Sequence, residues 1–235
     1  MATLGLIVAA GGFGTRLGAD GPKQYIDLLG RPMLERTVGA LAACDAVDIL
    51  VVVVNPEDVD FCREQVLCGH YAKVSAVVGG GSQRAFSVRN GLEALAQAGG
   101  VDLVGTHDGA RPLITCAEVS AVRRRLMEDP ALSGAVLALP SVDTVKVVDS
   151  RGVIRSTPER RTLWRAQTPQ VFRWPALRAA YAQPDEVLSA ATDDAALVEA
   201  MGGEVAVVEG SVENLKITTP LDIRVAEAII AGRER

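Results

Sequence analysis

Apolar and polar positions along the chain follow two rhythms: short unbroken apolar runs, and longer stretches with apolar residues three or four apart. The runs at 4–10, 49–54, 74–78, 103–107, 135–139 and 205–208 have the length of buried strands, and 49–54 is almost unbroken in β-branched residues, as in a strand covered on both faces. Between them, 33–44, 57–66, 117–128, 175–182 and 220–231, with two more helices ending near 98 and 201, alternate with these strands; Leu34, Val38, Leu41 and Ala42 show the helical spacing. Strand, helix, strand, helix, strand before residue 80, joined by right-handed crossovers, predicts a single α/β domain over 1–235. Its sheet is expected to be doubly wound, mostly parallel and Rossmann-like. From 140 to 169 the pattern changes. Val145, Val147 and Val153 alternate around a turn at 149–152, and a polar S-T-P-E-R-R follows, which reads as a protruding antiparallel β-ribbon. A ribbon with so little core is marginal alone and is expected to pack on a second copy of the chain. Residues 213–218 read as an edge segment carrying Lys216.

The first run empties into a loop holding Gly11, Gly12, Gly14, Gly18 and Gly21. Glycine lacks a Cβ, so backbone N–H groups there can approach an anion closely. Two cations, Arg16 and Lys23, stand seven apart in the loop, which suits a polyphosphate whose charge grows during reaction. The dinucleotide fingerprint is absent, because Gly12 and Gly14 are followed by Thr15-Arg16-Leu17, and a Walker-type phosphate loop is absent because Gln24 follows Lys23. A second glycine-serine loop, 79–87, opens a helix after the third strand. Ser82 and Ser87 can hold a ligand there, or Ser82 can simply cap the helix. Both loops lie beyond the carboxyl ends of strands, where open α/β sheets bind ligands. Asp108 ends the fourth strand, a place for a carboxylate that holds Mg²⁺ against triphosphate oxygens. Arg111 is near enough to orient an anionic acceptor. A turn or cap for Asp108 and a surface charge for Arg111 are the local alternatives.

Composition narrows the class. Of 235 residues, 49% are hydrophobic but only 4% aromatic, as expected where helices pack on both faces of a sheet. A net charge of -5 argues against general nucleic-acid binding. The first apolar run is too short for a membrane helix and no basic region precedes it, so a cytoplasmic enzyme is expected. Cys44, Cys62, Cys68 and Cys116 lack C-x-x-C spacing, and free buried thiols are the expectation.

The spacing G-x-G-T-R-x6-P-K resembles the signature of nucleotidylyltransferases. Eight strings in order, A-A-G-G-F-G-T-R, P-K-Q-Y, G-G-G-S-Q-R-A-F-S-V, H-D-G-A-R-P, D-T-V-K, L-W-R-A-Q-T-P-Q, T-D-D-A and E-N-L-K-I-T, make nearly the whole chain similar to the cytidylyltransferase family of the non-mevalonate isoprenoid pathway. These enzymes join CTP to 2-C-methyl-D-erythritol 4-phosphate, on a nucleotide-diphospho-sugar transferase-like fold. The resemblance implies that Arg16, Lys23 and Lys216 stabilise the reacting α-phosphate, and that Ala10, Gly11, Gly12, Gly81, Ser82, Arg84 and Ser87 hold CTP. It further implies that Asp108 meets Mg²⁺, that Arg111, Thr144 and Thr192 face the acceptor, and that Arg160 on the ribbon reaches the neighbouring site of a homodimer. Two departures stand out: Ala9-Ala10-Gly11-Gly12 where Pro-Ala-Ala-Gly is common, and Gly109 where alanine is usual. A ribitol-5-phosphate cytidylyltransferase, a sugar-1-phosphate nucleotidylyltransferase and a passive nucleotide-binding module are the rival readings. A phosphate-monoester acceptor is largely dianionic at neutral pH and needs no general base, in keeping with the lack of a Ser/His/Asp or Cys/His arrangement.

Overall fold

The computed structural model describes residues 2–12 and 22–234. Arg16 lies outside the described residues. Strands form at β1 (Leu4–Ala9), β2 (Ile49–Val54), β3 (Val74–Gly79), β4 (Leu103–Asp108), β5 (Gly134–Pro140), β6 (Val147–Val148), β7 (Ile154–Ser156), β8 (Trp164–Arg173) and β9 (Val205–Glu209). The helices are α1 (Met33–Ala42), α2 (Val59–Phe61), α3 (Arg84–Gln97), α4 (Cys116–Glu128), α5 (Trp174–Tyr181), α6 (Asp185–Ala190), α7 (Asp194–Ala200) and α8 (Pro220–Arg233).

Seven strands make one sheet in the order β3-β2-β1-β4-β8-β5-β9. Its first four strands are parallel; β8 runs antiparallel between β4 and β5, and β9 returns parallel to β5. Side chains alternate faces along each strand. Leu4, Leu6 and Val8 of β1 join Leu50, Val52 and Val54 of β2 under α1 and α4, while Ile7, Val51 and Val53 point the other way, onto Val88, Leu92 and Leu95 of α3. The helix-on-both-faces reading of the apolar runs therefore holds. Gly91 shows how close the second layer sits: a Cβ there would lie 2.5 Å from Ile7 Cγ2, so only glycine lets α3 rest on β1. A third, smaller cluster, with Leu28, Met33, Ala110, Leu113 and Ile217, holds α8 against the loops at the carboxyl ends.

Four expectations need correction. The 57–66 helix is a 3-10 turn at Pro56–Asp58, the short α2, and a π turn at Cys62–Val66; the wider turn lets Cys62, Val66 and Leu67 all face the core. Residues 213–218 form no strand, because the Asn214 carbonyl is taken by the Arg111 and Gln167 side chains instead of a strand partner. The ribbon is shorter than 140–169: only β6 and β7 pair with each other, and Trp164 onward belongs to β8. Cys44 and Cys116 are joined by a disulfide, leaving Cys62 and Cys68 free. Spacing could not show this, since 72 residues separate the pair and only the packing of α1 beside α4 brings them together.

Candidate active site

The carboxyl ends of β1, β3 and β4 surround a cavity of about 230 Å³ lined by the two glycine loops. Among the described residues its wall carries three cations, Lys23, Arg84 and Lys216, against one carboxylate, Asp108. β1 delivers Ala10, whose N–H continues the ladder to the Val53 carbonyl at 2.7 Å, before Gly11 and Gly12 leave the sheet. A Cβ on Gly12 would lie 3.5 Å from Lys23 Cε and 3.7 Å from Nζ, so the ammonium group lies over bare backbone. Pro22 sets up the 3-10 turn Lys23–Tyr25 that holds it there. The opposite wall is built by Ser87. Its Oγ accepts from the Gly81 N–H and donates to the Gln83 carbonyl, both at 3.1 Å. Neither Ser82 nor any other side chain caps α3, whose N-cap residue is Gln83. The dipole of this 14-residue helix opens towards the cavity, where negative charge is favoured.

Asp108, the last residue of β4, is the hub. Lys216 Nζ lies 2.9 Å from its carboxylate, Arg111 Nε 3.5 Å and Arg84 Nε 3.6 Å. Burial opposes its charge, but Lys216, Arg84 and Arg111 outweigh burial and hold the carboxyl well below the usual range. Arg84 is held from behind by Asp194, which is fully buried and accepts from Arg84 Nη2 at 2.8 Å, Thr106 Oγ1 at 2.5 Å and the Tyr181 hydroxyl. Desolvation favours a neutral Asp194; Arg84 and the two hydroxyls prevail and keep it ionised. On the other side, Thr168 Oγ1 accepts from the Asp108 N–H at 3.0 Å and contacts His107 Nδ1 at 3.1 Å, while His107 Nε2 meets the Arg111 carbonyl at 3.2 Å. Both ring nitrogens are thus committed, and burial pushes the His107 pKa down to about 4. This histidine is a neutral brace with no free nitrogen for proton transfer.

A second cavity of about 380 Å³ adjoins the first and shares Arg84, Asp108 and Lys216 with it. Arg111, Gln167, Gln170 and Thr192 line it. Arg111 is 8% exposed; its Nη1 donates to the Asn214 carbonyl at 2.7 Å, and its Nε faces the Asp108 carboxylate at 3.5 Å. The two spaces meet at Lys216, Arg84 and Asp108, and the second is also lined by Asp193; their cations could screen the repulsion between two phosphates brought together there.

Residues 4–232 match the family model of 2-C-methyl-D-erythritol 4-phosphate cytidylyltransferase. The chain belongs to this family. It is 45% identical to the 2-C-methyl-D-erythritol 4-phosphate cytidylyltransferase of Geobacter metallireducens, covering 98% of each chain. Against the protein of that name from Desulforamulus reducens the identity is 42%, over 99% of this chain and 98% of the relative. Among solved structures, it superposes on the 4-diphosphocytidyl-2C-methyl-D-erythritol synthase of Anaerococcus prevotii with a TM-score of 0.83 at 29% identity, covering 98% of this chain and 99% of the other. The isoprenoid-pathway family inferred from the eight strings is therefore the right one.

Of the residues singled out by this family's motifs, Ala10, Gly11, Gly12, Lys23, Gly81, Ser82, Arg84, Ser87, Asp108 and Lys216 line the first cavity, and Arg111 and Thr192 the second. Thr144 and Arg160 lie exposed on the arm and line neither. Arg160 Nη1 instead donates to the Val142 carbonyl at 3.2 Å. Sequence reasoning missed Asp194, Thr106 and Tyr181. Thr192-Asp193-Asp194 reads in sequence as a helix cap, but Asp193 alone caps α7, its side chain accepting from the Ala196 N–H, while Asp194 turns inward to Arg84, Thr106 and Tyr181.

Proposed function

We propose that the protein transfers CMP from CTP to the phosphate of 2-C-methyl-D-erythritol 4-phosphate, releasing pyrophosphate and giving 4-diphosphocytidyl-2-C-methyl-D-erythritol. One observation carries the reading: a glycine-and-serine cavity and an arginine-and-threonine cavity meet at Lys216, Asp108 and Arg84. CTP occupies the first, its phosphates over Gly11 and Gly12 beneath Lys23, with Arg16 joining them. The acceptor phosphate, already dianionic near neutral pH, sits in the second beside Arg111 and Thr192. Its oxygen attacks the α-phosphorus in line with the departing pyrophosphate, and Lys23, Arg16 and Lys216 take up the charge that builds on the oxygens. The missing base agrees with a His107 whose ring nitrogens are both engaged.

Asp108 fits a Mg²⁺ ligand, since this ion is commonly held by one or two carboxylates together with substrate phosphates, and among the described residues Asp108 is the single carboxylate lining the first cavity. Bound there, the metal would supply charge neutralisation on nucleotide oxygens. Thr144 faces the acceptor, and Arg160 reaches the acceptor site of a second copy in a homodimer. Support comes from the arm, where Val142, Val147, Val148, Val153 and Ile154 are each at least 46% exposed, an apolar surface that needs a cover. Among the described residues no helix is long and apolar enough to cross a membrane, and a cytoplasmic location is proposed.

The test is pyrophosphate release from CTP and Mg²⁺ with each of two acceptors. Turnover with methylerythritol phosphate is expected; turnover with ribitol 5-phosphate alone overturns the acceptor, and release with neither overturns the reaction.

A further inference from the structure

The segment 109–115, which links Asp108 and Arg111 to α4, is bracketed by α1 at two points. Near one end of the segment, Thr37 Oγ1 of α1 donates to the Gly109 carbonyl at 2.9 Å. At the other, Cys44, just past the end of α1, is bonded to Cys116, the first residue of α4. The two sulfurs differ in setting. Cys44 is completely buried, whereas Cys116 is exposed and begins a 13-residue helix, where a thiolate is favoured by the helix N-terminus. Disulfides in reducing compartments are usually transient or redox-sensing, and an exposed sulfur at a helix start is the kind that exchanges. α4 is also tied to the Lys216 loop, because Glu118 accepts from the Ser211 N–H at 3.1 Å.

We infer that Cys44 and Cys116 form a reversible redox staple that sets the acceptor side of the active site. In the forward direction the Cys116 thiolate attacks a low-molecular-weight disulfide, such as glutathione disulfide, and expels one thiolate. Cys44 then attacks the Cys116 sulfur of the mixed disulfide, expelling the second glutathione thiolate, which takes up the Cys44 proton. The protein dithiol is oxidised by two electrons and the small disulfide is reduced to two thiols. Closing the staple ties α1 to the start of α4 and holds Arg111 and Asp108 at their spacing. Opening it leaves Thr37 as the remaining clamp at the Gly109 end.

The full-length protein is equilibrated with glutathione disulfide or with excess reduced glutathione, then denatured and titrated for thiols. Two are expected in the first case, with any glutathione mass found on the exposed Cys68 counted as a thiol, and four in the second, from the chain's four cysteines. A linkage spanning 72 residues should lower the melting temperature on reduction by about 10 °C. In turnover assays reduction should raise the acceptor KM about fivefold and leave the CTP KM nearly unchanged, a binding difference of about 1 kcal/mol. Cys116→Ser, at an exposed position, should show three thiols and no response to either buffer. Four thiols in both buffers, redox responses that survive in Cys116→Ser, or an acceptor KM identical in the two states of the native protein would each overturn the inference. The thiol count and melting shift do not depend on the proposed reaction, so a failed assay with methylerythritol phosphate is distinguishable from a failed staple.

Discussion

The hub around Asp108 and the arm between β5 and β8 are opposites. At the hub, buried charges are over-determined: Asp194 has three donors, Asp108 three cations, and His107 a partner on each nitrogen. On the arm, β6 and β7 pair only with each other, and Val147, Val148 and Ile154 are exposed. Buried ions need full partnering because water cannot compensate them, and among the described residues the hub finds these partners within one chain. An exposed apolar ribbon has the reverse need, and the proposed homodimer would meet it with a second copy beside the acceptor half.

The sharpest way to break this contrast is to remove a hub charge. Asp194→Ala leaves Arg84 without its main partner and should destabilise the fold by about 3–5 kcal/mol, measured by urea unfolding. A loss under 1 kcal/mol would mean the hub is not over-determined. Next in size, Lys23→Ala, Lys216→Ala or Arg16→Ala should lower kcat about 10²–10³-fold, roughly 3–4 kcal/mol, read in a pyrophosphate assay. Near-native turnover in any of them removes that residue from the reaction.

The third prediction concerns pH. Because His107 titrates near 4 when folded and near 6.5 when unfolded, the unfolded chain binds its proton first as pH falls. Stability is therefore whole above about 6.5 and should drop by about 3 kcal/mol between 6.5 and 4. His107→Gln should flatten that slope, and an unchanged slope in the variant would assign the loss elsewhere. Asp108 and Asp194, held below their ordinary range, lose their contribution only at lower pH, as each falls through its folded value. The smallest effect is on the arm. Arg160→Ala should raise the acceptor KM about tenfold, roughly 1.4 kcal/mol, with kcat for the nucleotide steps little altered. Val148→Asp should shift sedimentation towards the monomer and reproduce that KM rise; a fully active monomer would detach the arm from the acceptor.

Much of the architecture was legible before any coordinates. The apolar runs predicted all but one strand of the central sheet within a residue or two at each end; in the inner strands burial on both faces leaves few sequence options, and the edge strands β3 and β9, only partly buried, are still runs of mostly small and β-branched apolar residues. The long β8 was legible only as Q-T-P-Q rejoining the sheet, since its outer half is exposed and its inner half buried, which blurs any period. The 213–218 segment shows the opposite error. Alternating Leu215 and Ile217 look like a strand, yet those side chains join the α8 cluster and side-chain donors satisfy the backbone.

Local order along the chain determined which residues end strands, and so which loops collect at the carboxyl edge: the glycine loop with Lys23, the serine loop with Ser87, and the Asp108 turn. Those are consequences of neighbours in sequence, where period and glycine content act directly. Tertiary structure alone decided that Lys216 reaches Asp108 across more than a hundred residues, that Asp194 lies beneath Arg84, and that Cys44 meets Cys116. Each depends on how helices settle on a sheet face, and that packing is set by the summed burial of the whole core, which no short window of sequence contains.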